Sequence, residues 1–489
     1  MNVPATAGGA RDRGAGDAVT GDAADDELDA ALALADGRSS PGDPGNPGDP
    51  DDLGGLRDPH GPGRPGRDTT RHDPGQPPSG GARTGVRSPL PRPHGGGHHD
   101  LPWPQARRIA WHAAGPLGRV TLPLAEALGH ALAEPLTALV DLPSFDTSAM
   151  DGWAVAGPGP WRPEGSVLAG QRAAGPLLDG HATVIATGAA LPSGATAVLR
   201  SEHGRITDDG LLHATRGGPE PGQDVRPRGQ ECRGGDELLA TGVPVTPAVL
   251  GLAAAAGYDR LAVTARPSVE ILVLGDELLD VGTPGGGRVR DALGPLLPGW
   301  LTALGAGKVS ARRLKDDAGL LEDAVTASTA DLVVTTGGTA GGPVDFVHPV
   351  LARMGARLLV DGVAVRPGHP MLLAELPGDG GHLVGLPGNP LAAVSGVLTL
   401  AVPLLRALAG RTAPGAYEAR LTGDVPGHPT DTRLVPVILD EESQAAPLRF
   451  SGPAMLRGIA AADGMAVIPP GGAAKGDRTA VLETGWGRL

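Results

Sequence analysis

Residues 331–339 read DLVVTTGGT, a strand-forming run that ends in two glycines. SVEILVLG at 268–275, GKVSARRL at 307–314 and GHLVGLP at 381–387 have the same strand character. Helical stretches lie between them. After Asp316 and Asp317, the residues Leu321, Ala324, Val325 and Ser328 trace one helical face. Asn389 suits an N-cap and Pro390 a first helical position, and Leu391, Val394, Leu398, Ala401 and Leu405 then fall on one side. Leu293, Leu296, Leu297, Trp300, Leu301 and Leu304 have helical spacing, but Pro295 and Pro298 interrupt them, which predicts a late start or a kink. This alternation over 268–408 predicts a parallel α/β sheet.

Ligands of such sheets bind beyond the carboxyl ends of the strands. Three loops there carry suitable chemistry: Gly275-Asp276-Glu277-Leu278; Thr335-Thr336-Gly337-Gly338-Thr339, with Asp345 six residues on; and Pro387-Gly388-Asn389-Pro390 at a helix start. Glycines let backbone N–H groups approach an anion, a helix N-terminus adds partial positive charge, and carboxylates hold a divalent cation against phosphates. Each loop alone is more often an ordinary turn. Three at the strand ends of one sheet point to a phosphate-bearing ligand.

The flanks read differently. Between Leu101 and Leu142, the positions Leu122, Leu124, Ala127, Leu128 and Leu132 predict a helix. Residues 150–245 alternate short β runs (SVLAG, HATVIA, TAVLR, GLLHATR) with turns, which predicts a small all-β unit, and VTPAVLGLAAAAGY returns to helix. From 415 onward, YEARLTG, TRLVPVIL, GMAVIPP and TAVLET predict a C-terminal β domain. The expected organisation is a tail at 1–100, a helical linker and dimerisation domain at 101–149 and 245–267, a β domain at 150–244, the α/β domain at 268–410 and a β domain at 415–489.

Of 489 residues, 79 are Gly and 50 Pro, concentrated in stretches such as PGDPGNPGDPDD near the N-terminus. That segment buries too little apolar surface to offset its ordering entropy and is read as disordered. The net charge of −14 argues against a nucleic-acid partner. A single cysteine, Cys232, excludes an internal disulfide. The N-terminus lacks the apolar core of a secretion signal, and LAAVSGVLTLAVPLL at 391–405 is short for a membrane span, so a buried helix in a cytoplasmic protein is expected.

The stretch LPSFDTSAMDGWAV at 142–155 closely resembles the signature of molybdopterin molybdenumtransferases, the MoeA/gephyrin family. Further matches follow in family order: ATGAALPSGATAV at 186–198, PGQDVRPRGQE at 221–231, GDEL at 275–278, DLVVTTGGT at 331–339, VRPGHP at 365–370 and GLPGNP at 385–390. The resemblance covers about 101–489. It implies a multidomain α/β and β fold with a molybdopterin-binding-like α/β domain, and a homodimer whose cleft joins that domain to the partner's small β domain. It implies insertion of molybdate into adenylated molybdopterin with release of AMP, assisted by Mg²⁺. The molybdopterin adenylyltransferase and molybdoenzymes are the implied partners.

Matched by motif, the functional positions are Asp146, Thr187, Glu231, Glu277, Asp316, Asp345 and Arg366. Glu277 and Asp345 are the implied metal ligands, Arg366 an oxyanion ligand, and Gly337, Gly338 and Thr339 a cradle for the pterin phosphate, beside Pro387, Gly388, Asn389 and Pro390. The chain departs from the family at several places. Gly362 stands for a basic residue, His369 for a lysine, Ala340 for a serine and Leu391-Ala392 for a helix start with serine. Ile438 replaces an arginine and Gly452-Pro453 a Gly-Ser pair. The lost cations and hydroxyls favour a second reading, a non-catalytic molybdopterin-binding or delivery paralogue, and the same carboxylates leave a third, a Mg²⁺-dependent hydrolase of another pyrophosphate.

Overall fold

The computed structural model describes residues 100–171, 173–340, 345–378, 381–413 and 417–486. The tail reading, except for Asp100, lies outside the described residues. The elements used below are α1 (Trp103–His112), β1 (Val269–Leu274), α2 (Leu293–Ala303), β2 (Val309–Leu314), α3 (Ala318–Thr326), β3 (Leu332–Thr336), α4 (Val347–Met354), β4 (Arg357–Asp361), β5 (Val363–Arg366), β6 (Leu372–Glu375), β7 (His382–Leu386) and α5 (Pro390–Leu408).

The central sheet has the order β2-β1-β3-β7-β6-β4. Its four expected strands, β2, β1, β3 and β7, are mutually parallel, while β6 runs antiparallel to both β7 and β4. One face packs Ile271, Val334 and Val384 against α1, α2 and α5; the other packs Leu272, Val333 and Leu383 against α3 and α4. Successive strand residues point to opposite faces, so these continuous apolar runs fill two layers at once.

Local chemistry sets the helix ends. Asp317 caps α3, its Oδ1 accepting from the Leu320 amide at 2.9 Å, and Gly355, at φ 73°, closes α4 in the left-handed conformation that glycine adopts without strain. α2 begins at Leu293 despite its prolines, so the expected late start is corrected. Pro295 falls in the first turn, where no N–H is needed, and Pro298 is inside the helix.

α5 is buried on all sides rather than along one stripe, with a π-helical segment at Val397–Ala401 in its middle. It is long and apolar enough to cross a membrane, at 19 residues and mean hydropathy 1.9, but 94% of it is buried in the protein, as a core helix requires. Trp103 on α1 donates to Thr399 Oγ1 at 3.0 Å, so this core reaches back to the N-terminal residues.

The helix predicted through Leu122–Leu132 is not formed. Arg119–Pro123 is a strand paired with Arg260–Thr264, which also pairs with Ala131–Leu132; only Leu124–Ala127 is helical. Val120 and Thr121 are β-branched, Pro123 closes the strand, and Gly129 turns the chain at φ 78°. The predicted helix after Val245 is present as Pro247–Ala255, capped by Thr246.

The small β unit is a four-stranded sheet in the order Arg162–Val167, His181–Ile185, Gly152–Val155, Ala197–Arg200. At the C-terminal end, Tyr417–Arg420, Thr432–Leu439, Gly464–Ile468 and Arg478–Glu483 share a sheet that also recruits Leu101–Pro102 and β5. No local pattern in the sequence marks that recruitment.

Candidate functional site

Because β1, β2, β3 and β7 are parallel, their carboxyl ends open on one edge. Three of the loops leaving that edge adjoin. The Gly337 amide donates to Leu386 O at 2.8 Å, and a Cβ on Gly388 would lie 3.7 Å from Gly337 Cα. Gly338 at φ 71° lies against Leu274, the last residue of β1. Gly337 has φ 86°; both glycines adopt a backbone that L side chains rarely take, which fixes the turn and leaves it bare. Thr339 is buried beneath this turn, and its hydroxyl has no hydrogen-bond partner among the described residues; the same holds for Thr335.

Glu277 is exposed on the loop after β1, and its carboxylate has no partner among the described residues. Asp316, at the end of β2, accepts from the Asp276 amide at 3.1 Å and so braces that loop. Asp345 lies half-buried just before α4, next to residues 341–344, which are not described. No group of three or more His, Cys, Asp or Glu side chains able to hold a metal is present among the described residues. Glu277 and Asp345 offer only oxygen, which fits Mg²⁺, an ion that keeps several waters and takes one or two carboxylates plus substrate phosphates.

The helix starts where expected, with Asn389 and Pro390 at its head, but its first amides are engaged. Asn389 occupies the N-cap position but makes no side-chain cap, and Pro390 has no N–H. The next two amides, Leu391 and Ala392, both donate to Pro453 O, at 2.8 and 3.2 Å. The first-turn donors that an anion at Pro387-Gly388-Asn389-Pro390 requires are therefore already satisfied from the C-terminal sheet region.

Arg366 ends β5 and donates through Nε to Asp431 Oδ2 at 2.7 Å, while its Nη1 lies 3.4 Å from His369 Nδ1. The Asp431 carboxyl is also held by Thr430 and faces His428 at 3.4 Å. Burial pulls its pKa upward, but the Thr430 and Arg366 hydrogen bonds and the neighbouring positive charge outweigh burial and hold it below the usual carboxylate range. Arg366 is thus committed in part to its own chain, with 43% of its side chain exposed. The turn after it approaches α5, since a Cβ on Gly368 would lie 2.9 Å from Ala392 O. Gly362 has φ 85°, a backbone that L side chains rarely adopt, and a Cβ there would meet Asp100 Oδ1 at 2.4 Å.

Asp146, Thr187 and Glu231 lie outside this edge, and among the described residues no hydrogen bond or ion pair joins them to it. Asp146 Oδ1 accepts from the Arg228 amide at 2.7 Å. Thr187 donates to Asp151 Oδ1 through its amide at 2.7 Å and its hydroxyl at 3.0 Å, which holds the Asp151 carboxyl below its usual pKa. Glu231 is exposed. Two contributors were missed by sequence reasoning, Arg313 on β2 and Asp431. The pair Arg312-Arg313 at the end of a strand was the available signal for the first; no motif marks the second.

The fold and this edge define a multidomain protein whose doubly wound sheet gathers glycine turns and carboxylates at the carboxyl ends of its parallel strands. Family models match three successive parts: the MoeA N-terminal region (domain I and II) over residues 101–257, a probable molybdopterin binding domain over 270–407, and the MoeA C-terminal region (domain IV) over 418–483. The molybdopterin molybdenumtransferase of Synechococcus elongatus is 33% identical over 311 residues, 60% of this chain and 76% of the relative. That of Haemophilus influenzae is 33% identical over 298 residues, covering 59% and 73%. A solved structure of the molybdopterin biosynthesis MoeA protein from Pyrococcus horikoshii superposes with a TM-score of 0.64 at 28% identity, over 79% of this chain and 99% of that one. The chain belongs to the molybdopterin molybdenumtransferase family.

Proposed function

We propose that this protein acts in molybdenum cofactor biosynthesis, inserting molybdate into adenylated molybdopterin with release of AMP. The observation that carries this reading is the meeting of three strand-end loops, with bare turns at Gly337 and Gly338 and a Glu277 carboxylate that has no partner among the described residues. Glu277 and Asp345 would hold Mg²⁺, which when bound screens the pyrophosphate charge and orients it. The Gly337 amide is held by Leu386 O, so the bare turn offers the Gly338 amide to a phosphate, and the exposed part of Arg366 offers N–H groups to an oxyanion. Asp316 holds the Glu277 loop in place.

Asp146, Thr187 and Glu231 lie in the N-terminal β region; in this reading they close the cleft from the second subunit of a homodimer. A cytoplasmic setting, with the adenylyltransferase supplying substrate and molybdoenzymes receiving product, completes the proposal. The Pro453 cap on α5 favours a second reading, a paralogue that binds or delivers molybdopterin without turnover, because it removes anion-binding amides. The deciding experiment measures AMP release from adenylated molybdopterin and Mg²⁺, with and without molybdate, beside Glu277→Ala. Molybdate-dependent release lost in the variant supports insertion. Molybdopterin binding without release supports the second reading.

A further inference from the structure

Arg313, near the end of β2, donates through Nη2 to Gly275 O at 2.8 Å and also to Leu278 O. Those carbonyls bracket Glu277. Its Nη1 pairs with Asp280 Oδ1 at 3.0 Å. From other directions, the Asp276 amide is held by Asp316 and Glu277 O accepts from the Val289 amide at 3.0 Å. The backbone on both sides of Glu277 is therefore pinned while its carboxylate has no partner among the described residues. Arg313 pairs with Asp280 and makes no ion pair with Glu277, so the Glu277 oxygens are left for a cation. A planar guanidinium suits this task because its donors have fixed directions, whereas a lysine ammonium acts as a point charge.

We propose that Arg313 is the positioning residue for Glu277, clamping the 275–280 loop so that the carboxylate meets a divalent cation in one fixed geometry. The proposal rests on the reading of Glu277 as a metal ligand. Groups that orient a metal ligand typically contribute roughly 10–100-fold in affinity. The test uses the full-length protein and Mn²⁺ as the probe, with binding followed by electron paramagnetic resonance. Amide exchange is followed over residues 275–291 in the wild type, Arg313→Gln, Arg313→Lys and Glu277→Ala.

The expected result is Mn²⁺ binding weakened at least tenfold in Arg313→Gln, faster exchange of the Asp276 and Val289 amides, and an unchanged melting temperature. Arg313→Lys falls between the two. Wild-type Mn²⁺ affinity and exchange in Arg313→Gln overturn the proposal. Equal Mn²⁺ binding by the wild type and Glu277→Ala overturns the ligand reading of Glu277 instead, and the exchange rates then decide separately whether Arg313 holds the loop.

Discussion

The carbonyl of Pro453 lies 2.8 Å from the amide of Leu391, so a turn of the C-terminal region caps the helix that follows the strand end at Leu386. First-turn amides ordinarily exchange quickly because they lack helical partners. The Leu391 and Ala392 amides are expected to exchange at helix-interior rates, slowed further by their burial. Hydrogen exchange read by NMR or mass spectrometry checks this. Exchange as fast as in an uncapped first turn would show that the cap is open in solution and the anion site available.

Gly275 sits at φ 135°, and a Cβ there would come within 2.9 Å of the Glu277 carboxylate. Gly275→Ala is expected to cost about 1–3 kcal/mol from backbone strain alone. It also displaces Glu277, so activity should fall further than stability. Thermal melts beside AMP release separate the two effects, and equal losses in both would argue against a role for Glu277.

The Asp431 carboxyl has its pKa held down in the folded state. The unfolded chain therefore takes up the proton first on acidification. The stability this group contributes is present above the unfolded value of about 4 and is lost as pH falls through the folded value. Asp431→Asn is expected to be less stable than the wild type at pH 7, with the gap closing below about pH 4. Urea unfolding at several pH values checks this; a pH-independent gap would exclude the charge as its cause.

His382 shows the opposite chemistry with the same sign. Burial pushes its pKa down, only partly offset by its contact with Ala113 O at 3.1 Å. The neutral ring is stable above the unfolded pKa of about 6.5, and stability falls as the pH drops below it. His382→Gln should flatten the stability profile between about pH 7 and 5.5. Identical profiles for the two proteins would show that His382 does not carry this dependence.

Strands β1, β3 and β7 were legible because they are apolar on both faces, and α3 because Asp317 caps it. The stretch Leu122–Leu132 was misread because leucines at helical spacing also fit a strand, a turn and a second strand. There the decisive residues were Pro123 and Gly129, which the apolar pattern does not weigh. At the site, Glu277, Gly337 and Gly338 stand where their motifs placed them. The Pro453 cap and the Arg366–Asp431 pair join residues 62 and 65 positions apart through backbone and side-chain contacts that leave no local pattern.

The burial of α5 sets a limit on how this protein can be divided. Residues 270–407, the span of the matched molybdopterin binding domain, contain all of α5 except Leu408 but not Trp103, which bonds Thr399, nor Leu434, Met465 and Val467, which complete its packing. Excised at those borders, the segment would present to water an apolar helix of membrane-spanning length. Dissection of this chain therefore has to keep both ends of the core: the middle is a neighbourhood that its flanks finish building, not a module to be transplanted.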